Sequence, residues 1–151
     1  VAATDAAGRA ALWAHRERQA EAIAHGGVPH KLDVTLPLAR LGAFTDAVTS
    51  AVVPHDLFLF GHLGDGNLHV NVVGPAPDDP TIDERVLSLV ADHGGSISAE
   101  HGIGRAKRRW LPLSRTPEEL AAFRAIKRAL DPRGVLNPGV LLPDEVDEDQ
   151  R

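Results

Sequence analysis

Gly61-His62-Leu63-Gly64-Asp65-Gly66-Asn67-Leu68-His69-Val70-Asn71 holds three glycines, two histidines and two asparagines. A helix cannot persist there, because each Gly costs about 1 kcal/mol against Ala. The flanks differ. Asp56-Leu57-Phe58-Leu59-Phe60 is an apolar strand run, and Leu68 to Val73 is another. Gly64-Asp65-Gly66-Asn67 between them is hairpin-turn chemistry, where positive φ costs Gly nothing and Asn and Asp little. The hairpin puts His62 at one strand end and His69 at the start of the antiparallel partner, so the two can lie side by side. His69 and Asn71 are two apart on a strand and share a face. His62, His69 and Asn71 can therefore point into one cleft.

A second polar stretch, Ser96-Ile97-Ser98-Ala99-Glu100-His101-Gly102-Ile103-Gly104, supplies a complementary ligand type. Catalytic zinc sites typically combine three His or carboxylate ligands with an open position. Glu100 can be the third ligand. His101, its neighbour, points away from it if the segment is extended, so one residue can hold a metal while the next works as a base. A plainer reading fits the same residues: polar positions of a surface hairpin, and a solvated loop. Spacing alone leaves both open.

Outward from the hairpin, Lys31 to Leu36 alternates polar and apolar as a half-buried strand does. Pro37 starts a helix with Leu38, Leu41, Phe44, Ala47 and Val48 at helical spacing, and Pro54 closes it. Thr4 to His25 reads as one amphipathic helix ended by Gly26-Gly27, with Arg16 and Arg18 as charges on its surface. Thr81 to His93 is another helix, with Ile82, Val86, Leu89 and Val90 inward, ended by Gly94-Gly95. Arg105, Lys107, Arg108 and Arg109 form a short basic cluster that reads as a solvated face, or as a contact for an anionic cofactor or another domain. Thr116-Pro117-Glu118-Glu119 is a capping box opening the last helix, which carries Leu120, Phe123, Ile126, Lys127 and Leu130 to Asp131-Pro132. His15, His25, His30, His55 and His93 read as surface or helix-end residues. The order predicts an α+β fold: a ferredoxin-like antiparallel sheet with helices on one face, plus extra helices.

With 151 residues, 43% of them hydrophobic, the chain suits one domain with a core. It has no cysteine, which excludes disulfides, Cys-based zinc ribbons and iron–sulfur clusters. A net charge of -5 argues against nucleic acid as the main partner. No apolar run reaches the roughly 20 residues of a membrane span, and no signal-peptide pattern opens the chain. A cytoplasmic protein, at most peripheral to a membrane, is the expectation. Val1 and the absence of methionine suggest the C-terminal fragment of a longer protein.

The two polar stretches, with Leu12-Trp13-Ala14-His15-Arg16-Glu17 and Leu136-Asn137-Pro138-Gly139, give the chain a resemblance. It resembles the C-terminal domain of FAD-linked oxidases, in particular D-2-hydroxyacid dehydrogenases of the D-lactate, glycolate oxidase D-subunit and D-2-hydroxyglutarate types. The resemblance covers residues 1–143; residues 144–151 read as a charged, disordered tail. It implies a C-terminal fragment of a larger flavoprotein that oxidises a small D-2-hydroxy acid to a 2-oxo acid. It further implies a divalent metal, zinc or manganese, on His62, His69 and Glu100, with His101 as base. Arg16, Lys31 and Asn71 would contact substrate, and Asn137 would face the cofactor. FAD would be held mainly by an upstream domain, so this segment alone should bind little FAD and not turn over. One departure is visible: Ala20 stands where the hydroxyglutarate enzymes carry a threonine. A metal-dependent hydrolase and a non-catalytic ligand-binding module are the competing readings.

Overall fold

The computed structural model describes residues 2–62 and 64–143. The predicted tail over 144–151 lies outside the described residues. Three strands form one antiparallel sheet: β1 (His30–Thr35), β2 (Asp56–His62) and β3 (Asn67–Val73), in the order β1-β3-β2. The hairpin of β2 and β3 forms as the glycines predict. Gly66 has φ +74°, and a Cβ there would lie 2.1 Å from the Leu36 carbonyl oxygen. Its own carbonyl accepts the Leu36 N–H at 3.0 Å, tying the turn to the end of β1.

Side chains alternate between the two sheet faces. Leu32 and Val34 of β1 and Val70 and Val72 of β3 point to a dry face. Two helices cover it: α3 (Leu41–Ala51) through Phe44 and Val48, and α4 (Pro80–Asp92) through Ile82, Val86, Leu87 and Val90. Helices α1 (Ala6–Glu17) and α2 (Gln19–Ala24) precede these in the chain, and α5 (Pro117–Leu130) follows. This is the predicted α+β arrangement: an antiparallel sheet with α3 and α4 packed on one face, plus extra helices. Beyond β1, Thr35 and Ser96 exchange backbone hydrogen bonds of 3.1 and 2.8 Å. A Cβ on Gly95 would lie 2.5 Å from the Thr35 carbonyl oxygen, which is why the chain can come this close. The loop that follows is thereby pinned to the sheet edge.

Several local expectations change. The N-terminal helix is two pieces, α1 and α2, meeting at Arg18; nothing in the sequence explains the break. Leu38 belongs to a 3-10 turn ahead of α3 and is exposed, because the chain must turn away from the sheet before α3 begins. α4 begins at Pro80, capped by Asp79, whose carboxylate accepts the Thr81 N–H at 2.9 Å. The capping box of α5 forms as predicted, with Glu119 N–H donating to Thr116 Oγ1 at 3.2 Å and Thr116 N–H to Glu119 Oε2 at 2.8 Å.

Lys107 and His30 are both buried, against expectation. Lys107 is not part of a solvated face: it is 9% exposed, and Nζ donates to the carbonyls of Asp33 at 3.0 Å and Ile97 at 2.9 Å. Its long apolar stem crosses the core edge while its head satisfies backbone acceptors, and burial pulls its pKa below the usual lysine value. His30 is not a surface residue either. It is buried between β1 and α4, with Nδ1 2.8 Å from Asp83 and Nε2 2.9 Å from the Ala76 carbonyl. Among the described residues, no helix is long and apolar enough to cross a membrane.

Candidate active site

The second sheet face is polar. The register pairs Lys31 with Asn71, Asp33 with His69, and Thr35 with Asn67; across β3, Asn71 pairs with Phe58, His69 with Phe60, and Asn67 with His62. Directly paired residues point the same way, so these positions share one face. Arg16, Glu17 and Ala20 from the two N-terminal helices stand over it. Between them lies a cleft of about 340 Å³ that also takes in Glu100 and His101.

The pinned loop delivers those two residues. Ala99, Glu100 and His101 donate consecutive backbone N–H groups to one oxygen, Asp33 Oδ2, at 3.1, 2.8 and 2.9 Å. Consecutive N–H groups make a concave anion-binding nest; here a side chain of the same chain fills it. Asp33 is 2% exposed, and its other oxygen accepts Asn67 Nδ2 at 3.3 Å. Burial works to raise the Asp33 pKa. The N–H groups of His101 and Glu100, the His101 charge and the Ala99 N–H outweigh it, leaving the carboxyl below its ordinary value.

The tight curl around Asp33 corrects one expectation. Glu100 and His101 do not diverge, because the segment is wrapped rather than extended. Glu100 Oε1 lies 3.7 Å from both His101 Nε2 and His69 Nε2. The His69 and His101 rings stack at 5.8 Å. His69 Nδ1 is 3.5 Å from Asp33 Oδ1, so its two nitrogens face two carboxylates. One ligand atom from each of Asp33, His69, Glu100 and His101 lies within 4.8 Å of the others. Two imidazoles and two carboxylates offer the donor types that suit zinc or manganese.

Lys31 lines the cleft, exposed. Asn71 is 4% exposed at its floor, and its Nδ2 finds no partner among the described residues. Arg16 is at the end of α1, with its guanidinium 3.2 Å from His62 Nε2. His62 therefore stands on the same sheet face but outside the tight group, its ring 5.9 Å from that of His69. Asn137 does not line this cleft; it borders a separate apolar one with Phe123, Leu136 and Val140. Asp33 and Phe60, whose ring packs at 5.1 Å from His69, are additional to the predicted set. The period-two pattern Lys31-x-Asp33, matching His69-x-Asn71, is the signal that reveals Asp33.

Residues 1–141 match the family described as FAD linked oxidases, C-terminal domain. The chain belongs to that family. It is similar to D-2-hydroxyglutarate dehydrogenase of Stutzerimonas stutzeri (strain A1501), 38% identical over 140 residues that are 85% of this chain and 30% of that protein. It is similar to D-2-hydroxyglutarate dehydrogenase of Xanthomonas citri pv. viticola, 42% identical over 144 residues, 87% of this chain and 30% of that protein. The mitochondrial D-2-hydroxyglutarate dehydrogenase of Bos taurus is 41% identical over 137 residues, 87% of this chain and 25% of that protein. This FAD-linked oxidase domain thus spans at most about a third of the length of these curated relatives.

Proposed function

We propose that this domain is the substrate- and metal-binding part of an FAD-dependent dehydrogenase that oxidises a small D-2-hydroxy acid to the 2-oxo acid. One observation carries the reading. Arg16, Lys31 and Asn71 share a single cleft with His69, Glu100 and His101. Carboxylate-binding groups thus meet a ligand set and a base where an α-hydroxyl would sit.

His69 and Glu100 would hold a divalent ion, joined by His62 once Arg16 leaves its Nε2. Such an ion, when bound, supplies Lewis acidity that lowers the pKa of a hydroxyl. His101 is assigned the base because its side chain is 65% exposed against 18% for that of His69, which leaves it the more accessible of the two to a bound hydroxyl. It would take the hydroxyl proton, an action worth roughly two to four powers of ten in rate. FAD, when bound, supplies the acceptor for the hydride that leaves the α-carbon with the C–H electron pair. Arg16 offers a forked pair of donors to a carboxylate and Lys31 a point charge. Asn71 Nδ2 supplies a buried donor. Two cations in so small a cleft favour a substrate with a second anionic group, in keeping with the names of the three relatives. The hydrolase reading has nothing in its favour beyond the same ligand set.

The test uses the intact flavoprotein, mixed anaerobically with a panel of D-2-hydroxy acids while flavin absorbance is followed. Bleaching by a D-2-hydroxy dicarboxylate, lost in His101→Ala and after chelation, is the expected result. A protein that takes up no FAD, or that no D-2-hydroxy acid bleaches, would refute the proposal.

A further inference from the structure

We infer that Asp33 is a positioning residue: its buried carboxylate moulds the 99–101 backbone so that Glu100 and His101 face the same point as His69, and it does not itself coordinate the metal. The inference rests on the proposed roles of those three side chains. Asp33 belongs to β1, which pairs along its whole length with the central strand β3. Leu32 and Val34 on either side are anchored in the core. The loop residues have no comparable anchor of their own, since Glu100 and His101 are exposed. What fixes them is the convergence of three N–H groups on Asp33 Oδ2, at 2.8 to 3.1 Å.

Those bonds also argue against coordination. Three donors crowd Oδ2, and Asn67 Nδ2 sits on Oδ1. A metal drawing on either oxygen would strip away bonds to an ionised acceptor, which are roughly twice as strong as neutral ones. Oδ1 is also the oxygen beside His69 Nδ1, at 3.5 Å. A carboxylate at the far nitrogen of an imidazole fixes its tautomer and leaves the other nitrogen free for a metal. Lys107 completes the arrangement. Its Nζ bonds the carbonyls of Asp33 and Ile97, so one buried cation staples the strand to the loop. The charge of Lys107 lies close enough to Asp33 to raise the pKa of the lysine, against the larger opposing effect of burial.

Amide hydrogen exchange and cobalt(II) binding, both on the intact protein, test this. In the wild type without metal, the amides of residues 99–101 should exchange slowly despite the exposure of their side chains. In Asp33→Ala they should exchange at least about tenfold faster with α4 unchanged, and Asp33→Asn, which keeps one oxygen for the nest, should fall between. Asp33→Asn should bind cobalt about ten- to a hundredfold more weakly, the usual effect of losing an outer partner. At saturation its visible cobalt bands should match those of the wild type, and its kcat should fall more than its KM rises. Fast exchange at 99–101 in the wild type would overturn the inference even if neither variant folds. Altered cobalt bands in Asp33→Asn would overturn it by making Asp33 a ligand. Absence of cobalt binding in the wild type would instead defeat the metal part of the proposed function, and exchange alone would then decide the role of Asp33.

Discussion

The guanidinium of Arg16 stands 3.2 Å from Nε2 of His62, so a proposed substrate anchor and a proposed metal ligand are partners of each other. No residue of α1 is buried, and among the described residues the Arg16 side chain has this contact and a 5.7 Å approach to the Trp13 ring. Little packing therefore opposes its release. Arg16→Met frees Nε2 of His62 while removing a forked donor. It should tighten metal binding severalfold and raise the KM of the hydroxy acid by roughly tenfold or more, consistent with loss of a charged hydrogen bond worth about 1.5–3 kcal/mol. Fold stability should stay within about 0.5 kcal/mol, as for other exposed positions. Calorimetric metal titration beside steady-state kinetics reads the two opposite shifts; a loss of both affinities would remove the coupling.

Gly66 and Gly64 sit in the same turn and should respond differently to the same change. An added Cβ at Gly66 meets the Leu36 carbonyl at 2.1 Å with φ at +74°, whereas at Gly64 it meets nothing within 4 Å. Gly66→Ala should cost at least about 2 kcal/mol, from left-handed strain plus the displaced backbone. Gly64→Ala should stay within about 0.5 kcal/mol. Urea unfolding of both variants is the measurement, and equal effects would mean that the turn does not hold the approach to Leu36.

His30 gives stability a pH dependence. Burial works to lower its pKa, but Asp83, the Ala76 carbonyl and Asp79 more than compensate, and the net shift is upward. A raised imidazole pKa means that the folded state binds the proton more tightly than the unfolded chain. The stabilisation is therefore fully present below the ordinary value of 6.5 and is lost as pH rises through the folded-state value. The stability advantage of the wild type over Asp83→Asn should be larger at pH 6 than at pH 9, by urea midpoints. An advantage that grew with pH would mean that His30 is held neutral.

Much of the fold is legible in the sequence, and what is not has physical reasons. The hairpin can be read because Gly64, Gly66 and Asn67 tolerate the backbone that a tight turn needs. α4 and α5 can be read from caps and spacing. The break at Arg18 has no local signal, and the role of Lys107 has none because burial of a lysine head depends on carbonyls 74 and 10 residues away. The same limit hides the role of Asp33, though not its place on the polar face. Alternation correctly puts its side chain opposite Leu32 and Val34, but only tertiary contact shows that the face is roofed by residues 99–101. Ile126 carries the helical spacing of a core residue and is 57% exposed, since periodicity marks an apolar face without naming what covers it.

Asn71 separates stability from function most sharply. It is buried in the middle of the sheet, between Lys31 and Phe58 in register, with Nδ2 unpartnered among the described residues. An unsatisfied buried polar group costs about 1–3 kcal/mol, and an apolar group of the same shape removes that cost. Asn71→Leu should therefore leave the domain as stable as the wild type or up to about 2 kcal/mol more stable. It should also raise the KM of the hydroxy acid by about tenfold or more, the scale of one lost donor to a carboxylate. Urea denaturation together with substrate titration of the intact protein measures both. Destabilisation by several kcal/mol would show that Nδ2 has a partner within the fold, and Asn71 would then be a structural residue rather than a substrate donor.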